Sequence, residues 1–179
     1  IGEQEMQRVE LNNSEKDRFL LADGDLIFAR RSVKADGAGK TSLITKLTEE
    51  TTFESSMIRV RVNKEDNNPR FYYYYFKSPL GRGNVLSLST GVAIKGIKGS
   101  ELKKLIVPTP PLQTQKRIAE ILSAYDDLIE NNLKRIKLLE QAAQNIYREW
   151  FVNMRFPNHE NTPINEETGL PEGWEEKEL

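Results

Sequence analysis

The chain has 179 residues, of which 37% are hydrophobic and none is cysteine, so disulfides and thiolate chemistry are excluded and one ordinary domain with an appendage fits the length. The formal net charge of −1 conceals a division: Asp23 to Val107 carries fifteen Lys and Arg against nine Asp and Glu, whereas Pro157 to Leu179 carries one Lys against seven Glu. A basic globular part suits an anionic partner such as DNA, although a surplus of this size also occurs on proteins that bind none. No run approaches the roughly 18 apolar residues of a membrane span, and no charged leader with an apolar stretch opens the chain, so a soluble cytoplasmic protein with no membrane partner is expected. The opening Ile1-Gly2-Glu3, without methionine, reads as the middle of something longer.

Residues 1 to 22 are polar, with Phe19-Leu20-Leu21 as an apolar anchor before the turn signal Asp23-Gly24-Asp25. Leu26 to Ala29 reads as a short buried strand, and Leu43-Ile44 and Met57 to Val62 are further strand candidates. The last alternates, so one face is buried and Arg59 and Arg61 point the other way. Asn68-Pro69 is an N-cap followed by a first helical residue, opening a helix through Phe71, Tyr72, Tyr75 and Phe76 that stops at Ser78-Pro79. The four tyrosines also suit a strand on intrinsic preference. Leu80 to Lys98, rich in Gly and Ser, is expected to mix loop and strand. Ser100 to Lys104 predicts a capped single turn, Leu105-Ile106-Val107 one more strand, and Pro108-Thr109-Pro110-Pro111 an extended exit that ends the domain.

From there one amphipathic helix is predicted over Gln113 to Met154, about 63 Å at 1.5 Å per residue. Ile118, Leu122, Tyr125, Ile129, Asn132, Ile136, Leu139, Ala143, Ile146 and Trp150 follow one another at alternating spacings of four and three, which is coiled-coil patterning and requires a partner helix. Asn132 interrupts the seam where a polar residue costs stability and fixes register; the alternative is that Asn131-Asn132 breaks the rod into two helices. Asn158 to Gly169 reads as a polar linker, and Leu170 to Trp174 restarts globular character. The fold class expected is therefore α+β, a mixed domain followed by a long spacer helix.

Gly37-Ala38-Gly39-Lys40-Thr41-Ser42 ends like a phosphate-binding loop, but the glycine required five residues before Gly39 is replaced by Lys34, and Asp36 would repel phosphates. A flexible loop bringing backbone N–H groups, Lys40 and Thr41 to DNA phosphates, or a plain solvated hairpin, fits better. Arg30, Arg31 and Lys34 cluster after a buried strand; Arg30 or Arg31 suits guanine readout and Lys34 a phosphate, the alternative being a solvated charged face. The tyrosines at 72 to 75 either stack on bases or belong to the core. Catalytic candidates are nearly absent: His159 is the only histidine and sits in an acidic segment, and the C-terminal glutamates form no organised pair.

The run Leu105-Ile106-Val107-Pro108-Thr109-Pro110-Pro111-Leu112-Gln113-Thr114-Gln115-Lys116-Arg117-Ile118-Ala119-Glu120-Ile121-Leu122 closely resembles the end of a target recognition domain and the start of its spacer helix in the specificity (S) subunit of type I restriction-modification systems. Tyr147 to Val152 resembles the end of such a helix, Leu170 to Trp174 the opening of each recognition domain, and Gly24 to Arg30 and Ser89 to Lys95 are similar to recurrent family segments. The resemblance implies a division into residues 1–111 as a recognition domain lacking its opening strands, 112–156 as spacer and dimerisation helix, 157–169 as linker, and 170–179 as the start of a second recognition domain. It implies that the segment from Thr90 and Gly91 to Lys95 lies near DNA, with Lys95 or Lys98 supplying a further contact, and that methyltransferase (M) subunits pack on the helices, where Tyr147, Trp150 and Phe151 touch a partner or lock the helix end to its mate. The expected partners are double-stranded DNA, M and restriction (R) subunits, and a second recognition half or a second copy joined through the helix. No cofactor is expected in this chain; S-adenosylmethionine, ATP and Mg belong to the partner subunits. A natural half-subunit or a piece of a longer protein each accounts for the span.

The function expected is reading one half of a bipartite DNA target, without catalysis, while the helix sets the gap between halves. Two rivals remain open at this level: a coiled-coil assembly protein whose basic domain docks on protein, and the recognition part of a single-chain restriction-methylation enzyme.

Overall fold

In a computed structural model, residues 7–34, 37–91 and 95–178 are described, Lys95 by its backbone alone. Asp36 and residues 92–94, which figured in the sequence reading, lie outside them. The strand β1 (Leu26–Ala29) is central: β3 (Thr41–Leu43) pairs antiparallel on one side, Leu26 opposite Leu43, and β4 (Met57–Val60) antiparallel on the other, Leu26 opposite Val60. Leu26 and Phe28 share the core face and are fully buried, as period-two alternation requires. Against them pack Phe71, Tyr72 and Phe76 of α2 (Pro69–Lys77), Val85 of α3 (Pro79–Ser87), Leu102 of the single turn α4 (Gly99–Leu102), and Ile97 just before that turn. The rings of Phe28 and Phe76 meet edge to face at 5.1 Å.

The helix α2 begins as the sequence dictates, with the Asn68 side chain accepting from the N–H groups of Arg70 and Phe71 and Pro69 in the first turn. Tyr72 lies in the core, with Tyr73 and Tyr75 packed at its edge. Ser78 ends α2 and also caps α3, accepting from Gly81 N–H, so the expected loop and strand mixture after Leu80 is a helix up to Ser87. Gly81 makes the corner possible, because a Cβ there would collide with the Tyr75 carbonyl. The turn α4 forms without a side-chain cap.

Strand limits differ from expectation in three places. β3 starts at Thr41 and stops before Ile44, although Ile44 N–H still reaches the Asp25 carbonyl at 2.9 Å. β4 ends at Val60; Arg59 and Arg61 do sit opposite its core face, but both are engaged, Arg59 with the Leu20 carbonyl and the Phe53 ring, Arg61 with Asp25. Leu105 to Val107 is not a strand. It keeps the alternation, Ile106 being 90% exposed between half-buried neighbours, but among the described residues no strand lies beside it to pair with.

The N-terminal segment holds a helix that the sequence reading passed over, α1 (Asn13–Phe19), opened by a capping box in which Asn12 and Glu15 satisfy each other's backbone N–H groups. Its end is pinned by Phe19 against Phe53, ring centroids 6.1 Å apart.

The chain divides into a unit over residues 1–123 and another from Ala124 onward. The helix α5 (Leu112–Tyr147) is continuous through Asn131-Asn132, so no break occurs there. Its first turns belong to the first unit, where Gln115 and Ala119 are its buried residues. In the second unit the helix runs into a π-turn (Arg148–Val152), and the following chain makes a 3₁₀ turn (His159–Asn161) and a bridge between Ile164 and Pro171 that carries Trp174 onto Phe156, rings 5.2 Å apart, and near Phe151 at 6.1 Å. The observed fold class is α+β, a small mixed domain with a long helix.

Candidate nucleic-acid interface

A two-stranded ribbon leaves the end of the core sheet. After Ala29 the chain turns through Arg30 into β2 (Arg31–Ser32), which pairs antiparallel with β5 (Lys95–Gly96), Arg31 opposite Gly96 and Ser32 opposite Lys95. Arg30 is the hinge of this arrangement: its N–H donates to the Ser56 carbonyl at 2.7 Å and its own carbonyl accepts from Ile97 N–H at 2.9 Å. Thr90 and Gly96 exchange both backbone hydrogen bonds, which brings the 89–91 segment alongside. Two stretches some sixty residues apart thereby share one surface.

Arg30, Arg31, Thr90, Gly96, Ile97, Lys98, Gly99 and Ser100 line a concavity of about 740 Å³ on this surface. Arg31, Lys98, Thr90 and Gly91 are exposed. Arg30 is half-buried and its Nη1 donates to the Ser55 carbonyl at 3.0 Å, so part of its donor capacity holds the turn before β4. Arg31, unlike Arg30, presents an exposed side chain at the rim. Lys34 is exposed beyond the ribbon's end, and its N–H donates to Ser32 Oγ at 3.0 Å. Lys95 takes its place by backbone register opposite Ser32.

The glycine loop differs from the flexible, N–H-offering loop expected. Gly37, Ala38 and Gly39 are buried, and the N–H groups of Gly37, Gly39 and Lys40 go to the carbonyls of Lys34, Ala29 and Gly37. Gly39 has φ +72°, and a Cβ on it would collide with Val85 of α3; a Cβ on Gly37 would collide with Ser32. The glycines are there for tight packing and a left-handed turn. What the loop exposes is the Lys40 side chain, beside Ala29 and hence next to the ribbon, while Thr41 is half-buried with its hydroxyl on the Gly39 carbonyl at 3.2 Å. Basic side chains on a rigid ribbon can meet phosphates as point charges and guanine edges as planar forks.

The helix carries the second candidate surface. Ile118, Leu122, Tyr125, Ile129, Ile136, Leu139, Ile146 and Trp150 are all exposed, Tyr125 at 63% and Leu139 at 68%, with Asn132 exposed in line with them. Ile121, Leu128 and Leu133 widen the stripe. Such a continuous apolar face has the form of a seam for another helix. Phe151 lies in the π-turn against Tyr147, 5.3 Å away.

Sequence reading missed one residue that the structure makes prominent. Gln115 is fully buried: its Oε1 accepts from Asn68 N–H at 2.8 Å, and its Nε2 donates to the carbonyls of Asp66 at 3.2 Å and Pro110 at 2.8 Å. Nothing in the sequence separates it from its exposed neighbours Gln113 and Thr114. His159 lies away from any cluster, its Nδ1 3.0 Å from the Phe156 carbonyl. Among the described residues no group of three or more His, Cys, Asp or Glu could hold a metal ion, and no helix is long and apolar enough to cross a membrane.

Residues 3–141 match the model of the type I restriction modification DNA specificity domain. The chain is 35% identical over 111 residues to the type I restriction enzyme MjaIX specificity subunit of Methanocaldococcus jannaschii, covering 61% of this chain and 26% of that protein. It is 32% identical over 151 residues to the EcoKI specificity subunit of Escherichia coli K12, covering 79% of this chain and 32% of the relative. The fold is similar to the crystal structure of a type I restriction-modification S subunit from M. genitalium, with TM-score 0.58 and 18% identity over 76% of this chain and 34% of that one. The chain thus spans between a quarter and two fifths of the length of the relatives it matches. On the match over residues 3–141 and the identity to the EcoKI subunit, the chain belongs to the type I restriction modification DNA specificity domain family.

Proposed function

We propose that this chain reads one half of a bipartite DNA target as a non-catalytic recognition piece of a type I restriction-modification assembly. The observation that carries the reading is the β2–β5 ribbon, which gathers Arg30, Arg31 and Lys98 from distant parts of the sequence onto one surface beside Lys40, with Lys95 in backbone register opposite Ser32. In this reading Lys34, Lys40, Lys95 and Lys98 contact phosphates and set the register, and Arg31, steadied by the Arg30 hinge, reads a base edge; Thr41, Thr90 and Gly91 border the contact. The exposed stripe of α5 pairs as a coiled coil with a second spacer helix, from another recognition half or a second copy, and fixes the gap between half-sites. M subunits pack on the paired helices, with Trp150 and Phe151 among the contacts, and R subunits join them in the cytoplasm. S-adenosylmethionine, ATP and Mg serve those subunits.

The test is selection of duplexes from a random pool by the assembled complex, followed by binding of the selected duplex. Recovery of a two-part consensus, with one part relaxed by Arg31→Ala, supports the reading. A pool that stays random defeats it.

A further inference from the structure

We infer that Gln115 is the positioning residue that sets the direction in which the spacer helix leaves the recognition domain, and hence the half-site gap the assembly accepts; this rests on the reading proposed above. A polar side chain with no exposure is costly unless every hydrogen-bonding group finds a partner, and the Gln115 amide finds three. Those partners come from two segments that meet at the root of α5. Asp66 and Asn68 lie in the turn before α2, and Pro110 lies in the proline strap that feeds α5.

The same two segments are tied a second time, by the Tyr72 hydroxyl, which lies 2.8 Å from Asn67 Oδ1 and 3.2 Å from Thr109 Oγ1. Asn68 in turn caps α2, the helix that supplies Phe71, Tyr72 and Phe76 to the core. One amide therefore connects the first turn of α5 to the core of the reading domain, and Ala119, one turn further on, is small enough to let the helix lie close. An apolar residue of the same size would fill the space without the three hydrogen bonds that fix the first turn of α5 against Asn68, Asp66 and Pro110. Direction matters in a helix of 36 residues. A tilt of about 10° at the root of a rod about 54 Å long moves its far end by about 9 Å, or nearly three base-pair steps of about 3.4 Å.

The experiment uses the complete assembly and its selected target carried on duplexes whose gap is shortened or lengthened by one or two base pairs. Gln115→Met retains the volume and loses all three hydrogen bonds; Gln115→Asn retains a neutral amide but holds it one methylene short of its partners. The expected result is that affinity for the preferred gap changes little while the penalty for a wrong gap falls by about tenfold in Gln115→Met. Should Gln115→Met not assemble, Gln115→Asn is expected to show the same loss in weaker form. Either variant, assembled and still discriminating gaps as the parent does, overturns the inference while leaving the DNA-reading proposal intact. A parent assembly that is itself indifferent to the gap overturns the proposed ruler, and the inference with it.

Discussion

Arg61 clasps Asp25 with two parallel hydrogen bonds, Nε to Oδ1 at 2.7 Å and Nη2 to Oδ2 at 2.6 Å. Asp25 is only 1% exposed and also accepts from Ala22 N–H at 2.8 Å, so the pair closes the turn before β1 onto the end of β4. The hydrogen bonds that Arg61 donates to Asp25 chiefly raise the Arg61 pKa above its already high ordinary value, with partial burial opposing. A raised pKa on a cationic group stabilises the fold at every pH below the unfolded value and is lost only on rising through the folded one, so Arg61 contributes no pH dependence of stability in the neutral range.

Removing Arg61 strands a buried carboxylate. Arg61→Met is expected to destabilise the fold by about 2 kcal/mol, at or below the low end for a broken buried pair because half of the Arg61 side chain stays in water. Urea unfolding of the full protein with and without the substitution measures it.

Gly39→Ala tests the packed reading of the glycine loop. With φ +72° and Val85 in the way, a methyl group is expected to cost about 2 kcal/mol or more and to loosen the loop that carries Lys40. A solvated, flexible loop would lose no more than a few tenths of a kcal/mol, which thermal unfolding resolves.

How much was legible follows from how local each signal is. The cap Asn68, the proline behind it and the turn glycines state their conformations within a few residues, and α2 and β1 were read accordingly. Ser78-Pro79 reads as a stop, which it is for α2, but the same pair also starts α3, and a local signal does not distinguish an end from an end followed by a beginning. Leu105 to Val107 has the alternation of a strand but, among the described residues, no neighbour to pair with. The basic residues could be named in advance because charge is visible in sequence, whereas the pairing of Arg31 with Gly96 is a contact across 65 residues that no local pattern encodes. Gln115 was invisible for the same reason, since its partners lie 47 and 49 residues upstream as well as in the adjoining strap.

The ribbon predicts a division of labour among its cations. Arg31→Ala is expected to reduce discrimination between target and random duplex by about 1–3 kcal/mol, and Lys40→Ala to weaken both about equally and to lower the salt slope by about one. Arg30→Ala is expected to lower discrimination as well, through the released turn at Ser55. Equal losses on both duplexes in the arginine and lysine variants would remove the distinction between reading and positioning; fluorescence anisotropy on labelled duplexes reads both quantities.

The continuous helix through Asn132 predicts a rod whose length matters. Four residues inserted beside Asn132 add about 6 Å, and the preferred half-site gap is expected to change accordingly. Selection from duplexes of graded gap length measures the change, and an unchanged gap would rule out the helix as the spacer.

Sequence-dependent DNA binding by the ribbon surface is tested by the salt dependence of binding by the complete assembly to its selected duplex and to a scrambled one. The expected result is a steep fall of log affinity with log salt on both duplexes, from counterion release, with the selected duplex bound at least about a thousandfold more tightly. Shallow, superimposable lines for the two duplexes would contradict it.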